Sequence, residues 1–312
     1  LTDELGINTT ARVKLRKQFR AFTAKGRTVS AQEKFQAFFD RVGGADSLEG
    51  LQMVPVSTMP VALSFISGKP GAPSKDAIKV GTAAAYAKAD ALLAAGADPH
   101  SLTRDEIASV NMYTQDGWHG PQTSLFRPLN AALRSETRTD VKIYWGYIRL
   151  LQHALFKMPK DQSGTLFRGI KLNWPGAPTL EAFHDELVRK QTQGEEEIWW
   201  GFSSTSTSLP AVRAFLGDHG PRIIFTVDGG SSARDVRRYS HFQLGFSVPE
   251  DERLLPCGTA FLVESADLVA ENLLMVSLRQ TDDILIHGGA PAVPEPDPEP
   301  QLEPQPEPQP QP

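Results

Sequence analysis

The character of the sequence changes near residue 164, and this change constrains the fold more than any other feature. Upstream segments repeat apolar residues at helical spacing, whereas downstream segments are short apolar runs typical of β-strands. The runs are "TLFRGIKL", "IWWGFSSTS", "RIIFTVDG", "ERLLPCGTAFLVE" and "LLMVSLRQ". Two helical segments, 179–191 and 209–217, separate some of them. Helices first and strands later predict an α+β fold rather than a doubly wound α/β fold.

Helical patterns cover most of the first 160 residues. They predict helices at 13–42, 80–95, 101–114, 123–136 and 139–158. The end of the second, "LLAAGADP", is also typical of an ankyrin repeat, but the sequence has no second copy at a regular spacing, so a glycine-terminated helix is favoured. We divide the chain into a helical N-terminal region of unknown role (1–100), a main domain (101–285) and a Pro/Glu/Gln-rich tail (286–312).

Charge and cysteine content exclude several classes of protein. The 312 residues carry 32 Lys and Arg against 37 Asp and Glu, a formal net charge of -5. The acidic tail accounts for that excess, so the rest of the chain is balanced and does not predict a nucleic-acid binder. A single cysteine, Cys257, excludes an intramolecular disulfide and a Cys-rich zinc site. It fits an intracellular protein, or a secreted one without disulfides.

Metal and membrane signals are also lacking in the sequence. The seven histidines show no metal-ligand spacing, and no apolar run is long enough to span a membrane. The tail alternates X-Pro over most of 294–312, which predicts a disordered, polyproline-like segment with little to bury. A spacer role and a partner-binding role both remain open for it.

Three features of the β-rich half suggest a reaction site. Arg168 lies in a predicted strand beside Gly169. The segment "GFSSTSTSL" (201–209) is a dense hydroxyl cluster, which on its own is more typical of a surface loop. Glu250 and Glu252 precede another predicted strand and, two residues apart on an extended chain, point to the same side.

These residue types fit a substrate that contains phosphate and sugar. An arginine can bind phosphate through two parallel hydrogen bonds, and a neighbouring glycine lets a ligand approach the backbone. A carboxylate stabilises the cationic transition state that forms when a glycosidic bond breaks. One glutamate can then act on the sugar while the other acts on the nucleophile. The alternatives without a catalytic role are a structural ion pair for Arg168 and a solvent-exposed turn for "PEDER".

The ordered set "LFRG", "FSSTS" and "EDERLLPCGTAF" resembles the R-S-E signature of mono-ADP-ribosyltransferases. It is most similar to the arginine-specific family, which carries a Glu-x-Glu motif. Upstream, "NMYTQDGW", "SLFRPLNAALRS" and "ARDVRRYSHF" also resemble segments of that family. The resemblance covers residues 101–282, and several spaced motifs in the right order are more specific than any one of them.

The resemblance implies an ADP-ribosyltransferase fold, with a helical entry region followed by two packed, mostly antiparallel β-sheets that form an NAD cleft. It implies that 101–285 is a catalytic domain that moves ADP-ribose from NAD to an arginine of an acceptor protein and releases nicotinamide. NAD would be a co-substrate, and no metal is implied. Glu252 would be the catalytic carboxylate, Glu250 would engage the incoming guanidinium, and Ser204 would support Glu252.

The resemblance also implies the residues that bind NAD. Arg168 would bind the phosphate and ribose region, and Gly169 would offer its backbone to the nicotinamide amide. Ser204 would organise the site, Thr205 would help to hold the strands, and Phe202 would form part of an aromatic wall.

Two other functions remain open. An NAD glycohydrolase would use the same Arg, Ser and Glu with water as the acceptor, and a catalytically silent module would only bind NAD or a partner. The segment 243–249 is longer than the family's pattern, and Phe246 within it is either an acceptor contact or a buried turn residue. Arg213 and Phe215 are further candidates for NAD contacts, whereas Tyr113 is predicted to be a core residue.

Overall fold

The structure is a computed structural model that describes residues 51, 54–116, 124–135, 139–174, 176–228, 232–241 and 251–284. Three predictions lie outside these residues: the helix at 13–42, the segment 243–250 with Phe246 and Glu250, and the tail 286–312. Within the described ranges, no helix has the length and apolar character needed to cross a membrane.

Helices precede the sheet, as predicted. They are α1 (Met59–Ser64), α2 (Lys75–Ala94), α3 (Arg104–Tyr113), α4 (Phe126–Arg134) and α5 (Trp145–Lys157), with a 3-10 helix at Thr139–Tyr144 leading into α5. The N-terminus of α3 shows why the chain becomes helical there. Thr103 accepts from the Glu106 N–H while the Glu106 carboxylate accepts from the Thr103 N–H, a capping box. The predicted helices at 80–95, 101–114, 123–136 and 139–158 are confirmed.

The residues before position 101 pack on the helices that follow it. The Met59 N–H and the Tyr86 hydroxyl both donate to Oδ1 of Asp105, at 3.0 and 2.6 Å. The Gln115 side-chain amide donates to the Gly81 carbonyl at 3.0 Å. These bonds fix α1 and α2 against α3.

The β-rich half forms a mixed sheet. Its strands are β1 (Leu166–Lys171), β2 (Glu196–Trp199), β3 (Ser203–Ser206), β4 (Arg222–Asp228), β5 (Arg234–Asp235), β6 (Glu252–Leu255), β7 (Thr259–Ala270) and β8 (Leu273–Ile284). The spatial order is β2-β7-β8-β4-β1-β3-β6-β5. The β4/β8 pair is parallel and the other pairs are antiparallel. The predicted α+β class is confirmed.

The two predicted sheets are joined by hydrogen bonds in the structure. β1 pairs with β4 along six residues but with β3 only at Phe167 and Ser206. This narrow junction connects the part β2-β7-β8-β4-β1 to the part β3-β6-β5. The expected division into two sheets therefore corresponds to one sheet with a minimal contact between its two parts.

Two of the predicted strands are each divided in the structure. "IWWGFSSTS" separates into β2 and β3, because the Phe202 backbone between them bonds to the Asn130 side chain rather than to a strand. "ERLLPCGTAFLVE" separates into β6 and β7 at a turn with Pro256 and Gly258. Proline has no N–H for a ladder, and Gly258 adopts a φ of 76° that favours glycine.

Two helices lie on the sheet and confirm the predictions at 179–191 and 209–217. α6 (Leu180–Gln193) buries Leu180 and Leu187 in the main core of the sheet. α7 (Leu209–Leu216) buries Val212 and Leu216 beside Ile224 of β4. These two apolar clusters hold β1 and β4 in place, and β1 carries Arg168.

Candidate active site

A cavity of about 820 Å³ opens between α3, α4, α7 and the strands β1, β3 and β6. This volume is in the range of small-molecule sites, about 300–1,000 Å³. Its walls combine aromatic rings with cationic and hydroxyl groups. The lining residues include Tyr113, Phe126, Arg127, Asn130, Arg134, Phe167, Arg168, Gly169, Phe202, Ser204, Thr205, Phe215 and Glu252.

Glu252 lines this cavity, and its two carboxylate oxygens have separate hydroxyl donors. Ser204 Oγ donates to Oε1 at 2.9 Å, and Ser240 Oγ donates to Oε2 at 2.7 Å. The residue is only 5% exposed. Burying a carboxylate costs free energy unless it is hydrogen-bonded. The two hydroxyls therefore stabilise the buried Glu252 side chain and hold it at the cavity wall.

Arg168 lies on β1, which is separated from β6 and Glu252 by the strand of Ser204, β3. Its Nη1 donates to the Ser204 carbonyl at 2.7 Å, and its guanidinium carbon lies 5.5 Å from the centre of the Trp199 ring. Burial lowers the pKa of Arg168 below its usual value, yet an arginine remains protonated. The cavity therefore contains a fixed cation next to the Ser204–Glu252 pair.

Gly169 has a packing role that the sequence does not reveal. A Cβ at this position would lie 2.8 Å from Leu216 Cγ and 3.0 Å from Val212 Cγ1. Glycine thus lets α7 approach β1 closely. This approach brings Val212 and Phe215 of α7 to the wall of the cavity.

Thr205 and Phe202 hold the strand that carries Ser204. Thr205 is buried, and its hydroxyl donates to the Arg253 carbonyl at 3.0 Å, which links β3 to β6. The buried Phe202 ring lies 5.4 Å from the Tyr113 ring in an edge-to-face arrangement. The structure therefore brings Arg168, Ser204 and Glu252 together with both supporting residues.

Sequence reasoning missed the Tyr113–Asn130 pair as part of the site. The Asn130 amide donates to the Phe202 carbonyl at 3.2 Å and accepts from the Phe202 N–H at 3.1 Å. Tyr113, predicted as core, is buried but also lines the cavity and donates to the same carbonyl at 3.0 Å. Burial raises the pKa of Tyr113, which keeps this donor neutral. The signal available was the polar Asn130 on an otherwise apolar helix face.

Arg127 and Arg134 were also missed, and both line the cavity from α4. Arg127 is held by Asp116 in an exposed ion pair at 3.0 Å. Burial lowers the pKa of Arg134 below its usual value. Arg134 and Arg168 thus contribute positive charge to the cavity wall, whereas the charge of Arg127 is balanced by Asp116, which also lines the cavity. Arg213 and Phe215 were the further candidates for NAD contacts. Of these two, Phe215 lines the cavity and is 61% exposed.

Asp251, between the two glutamates, is anchored to its surroundings. It pairs with Arg237 at 2.7 Å and with Arg253 at 3.0 Å, and it accepts a hydrogen bond from Thr207. Arg253 in turn pairs with the half-buried Asp161 at 2.6 Å. The start of β6 is therefore fixed at the residue before Glu252, and Glu250 lies outside the described residues.

Cys257 takes no part in the cavity. It is buried, it accepts a hydrogen bond from Gln152, and burial raises its pKa. It is therefore a packing residue, as predicted. Among the residues that the structure describes, no cluster of three or more His, Cys, Asp or Glu side chains is placed to bind a metal ion.

No protein-family profile and no curated protein matches this chain. Solved ADP-ribosyltransferases are similar to it at low identity. The Vibrio splendidus toxin Vis, solved with agmatine, is 20% identical over 67% of this chain and 88% of its own, with a TM-score of 0.44. HopU1 of Pseudomonas syringae pv. tomato is 18% identical over 64% and 97%, with a TM-score of 0.45. The eukaryotic mono-ADP-ribosyltransferase ART2.2 is 14% identical over 76% and 86%, with a TM-score of 0.47. Because these values are low, the function is inferred from the residues of this chain.

Proposed function

We propose that this protein is a mono-ADP-ribosyltransferase that moves ADP-ribose from NAD to arginine side chains of acceptor proteins. One observation supports this most strongly. The buried Glu252 carboxylate is held by two hydroxyls at the wall of a large cavity, and the guanidinium of Arg168, which lines the same cavity, bonds to the carbonyl of Ser204, one of the two serines that hold it. A fixed carboxylate next to a phosphate-binding cation suits the cleavage of a glycosidic bond in a phosphate-bearing substrate.

The donor set of the cavity fits NAD. Two arginines, Arg134 and Arg168, could neutralise a pyrophosphate. Exposed or half-buried rings of Phe126, Phe167 and Phe215 offer faces for the flat nicotinamide and adenine groups. NAD supplies the ADP-ribosyl group and loses nicotinamide in the reaction.

Each of the predicted residues has a role in this proposal. Glu252 would stabilise the positive charge that develops on the ribose as the bond to nicotinamide breaks. Ser204 would hold the carboxylate, and Arg168 would hold the phosphate region. Gly169 would keep its backbone close to the ligand, while Thr205 and Phe202 keep β3 in position.

Arginine as the acceptor is proposed from the Glu-x-Glu sequence. Glu250 would engage the incoming guanidinium and help to remove its proton. The anchored Asp251 would fix the point from which Glu250 extends. We assign the catalytic domain to residues 101–285, leave 1–100 without a role, and propose a spacer for 286–312.

The test is NAD cleavage by the purified protein, with and without agmatine as an arginine analogue. We expect agmatine-dependent release of nicotinamide, reduced on the order of 10²–10³-fold in Glu252→Gln. Glu264→Gln is the matched control, because Glu264 forms only an exposed ion pair with Arg279 on the same sheet. Its rate should equal that of the wild type.

Glu250→Gln separates transfer from hydrolysis. We expect this variant to lose transfer to agmatine while it still cleaves NAD with water. Nicotinamide release that ignores agmatine in the wild type would instead indicate an NAD glycohydrolase. If the folded wild type releases no nicotinamide under either condition, the proposed function is wrong.

A further inference from the structure

Ser240 lies outside every motif that the sequence singled out as catalytic, yet it contacts the central carboxylate. It is 1% exposed, and its Oγ lies 2.7 Å from Glu252 Oε2. Ser204 reaches the other oxygen, Oε1, at 2.9 Å. The two hydroxyls come from different parts of the chain, one from β3 and one from the turn after β5.

The backbone around Ser240 is anchored on both sides by α3 and the residue that follows it. Before it, the Tyr239 carbonyl accepts from the Asn111 amide at 2.9 Å. After it, the His241 N–H donates to Thr114 Oγ1 at 2.8 Å. The Ser240 N–H closes the turn on the Val236 carbonyl at 2.8 Å. The helical region thus sets where the Ser240 hydroxyl stands.

We propose that Ser240 is a second positioning residue for Glu252, which fixes the plane of its carboxylate. The last torsion of a glutamate side chain is broad, so a hydroxyl donor at each oxygen restricts the carboxylate more than the donor at Oε1 does by itself. The inference rests on the proposed function, because a fixed carboxylate lowers the barrier only if positive charge develops in front of it.

The kinetic test compares Ser240→Ala with Ser109→Ala. Ser109 is the matched control, since it is also buried and hydrogen-bonded but donates within α3, to the Glu106 carbonyl. We expect Ser240→Ala to lower kcat for NAD cleavage about tenfold or more while KM for NAD changes less than about threefold. Ser240→Cys keeps a weak donor and should fall between the wild type and Ser240→Ala. A kcat for Ser240→Ala within twofold of the Ser109→Ala value would overturn the proposal.

Crystallography provides a readout that does not depend on turnover. In crystals of the wild type, both carboxylate oxygens of Glu252 should accept from serine hydroxyls. In Ser240→Ala the carboxylate should turn about its last torsion, and in Ser240→Cys, which keeps a weak donor, it should turn by a smaller angle. An unchanged carboxylate orientation overturns the positioning role, whether or not the wild type cleaves NAD. A wild type that cleaves no NAD but shows the expected rotation keeps the positioning role and rejects the proposed reaction.

Discussion

Glu106 shows how a single buried charge can serve both a helix end and the packing between helices. Its carboxylate accepts from the Thr103 N–H at 2.7 Å, from Lys157 at 2.8 Å and from His153 at 2.6 Å. The first bond caps α3 and the other two tie α3 to α5. Burial alone would raise the pKa of Glu106, but the bonds from Lys157, Thr103 and His153 lower it below its usual value.

This pKa predicts how stability depends on pH. A carboxyl group whose pKa is lower in the folded state stabilises the protein above its usual pKa and loses that contribution as pH falls through the folded-state value. We expect Glu106→Gln to lower the free energy of unfolding by about 1–3 kcal/mol at pH 7. Towards pH 3 the variant and the wild type should converge. Urea unfolding between pH 3 and pH 7 measures the free energy of unfolding of the wild type and of Glu106→Gln, with Glu264→Gln as the control. A difference between wild type and Glu106→Gln that stays constant across this range would contradict the prediction.

At the residue scale, the sequence predicts the candidate site residues better than it predicts the residues that hold them in place. Arg168, Ser204 and Glu252 were predicted as site residues from the resemblance to a family signature, and the structure places them around one cavity. Ser240 and Asn130 were not predicted as site residues. Each contacts a partner that only folding brings close, Glu252 for Ser240 and the Phe202 backbone for Asn130. Asn130 is 72 positions from the Phe202 backbone that it holds, and no local pattern records that bond.

At the element scale, the cavity depends on how closely α7 approaches β1. Val212 and Leu216 of α7 pack over Gly169, where a Cβ would lie 2.8–3.0 Å from their side chains. Periodicity predicts that α7 exists and which face is apolar, but it does not predict the distance at which the helix packs. The same limit explains why "IWWGFSSTS" was predicted as one strand, although Phe202 breaks it to bond with α4.

Gly169→Ala tests this packing. The added methyl must displace α7, and overpacking of this kind costs about 1–3 kcal/mol of stability. Since α7 lines the cavity, we also expect KM for NAD to rise. Thermal unfolding and NAD kinetics measure the two effects. In a double-mutant cycle the cost of Gly169→Ala should shrink in a Leu216→Ala background, and strictly additive effects would show that the contact with Leu216 is not its cause.

At the scale of the whole molecule, the helices before residue 101 support those that carry the site. The buried Arg149 of α5 donates to the Val54 carbonyl at 3.0 Å, and α3 receives bonds from Met59 and Tyr86. α3 in turn carries Asn111, which holds the turn of Ser240. Hydrogen bonds therefore run from the region without an assigned role to the carboxylate of Glu252. The sequence prediction separated this region from the rest of the chain because the family resemblance begins at residue 101, and motif resemblance contains no information on contacts between helices.

Truncation tests whether residue 101 is a domain boundary. A chain of residues 101–284 loses the partners of Asp105, Gln115 and Arg149, which a chain of residues 51–284 keeps. Four hydrogen bonds at about 1 kcal/mol each, together with the loss of buried apolar side chains such as Met59 and Ile78, predict a melting temperature lower by at least about 10 °C for the shorter chain. The longer chain should match the full-length protein in melting temperature and in NAD cleavage, because its truncation leaves these bonds intact. Equal melting temperatures for the two truncated chains would instead establish residues 101–284 as an independent domain, and the helices α1 and α2 would then need a role other than support.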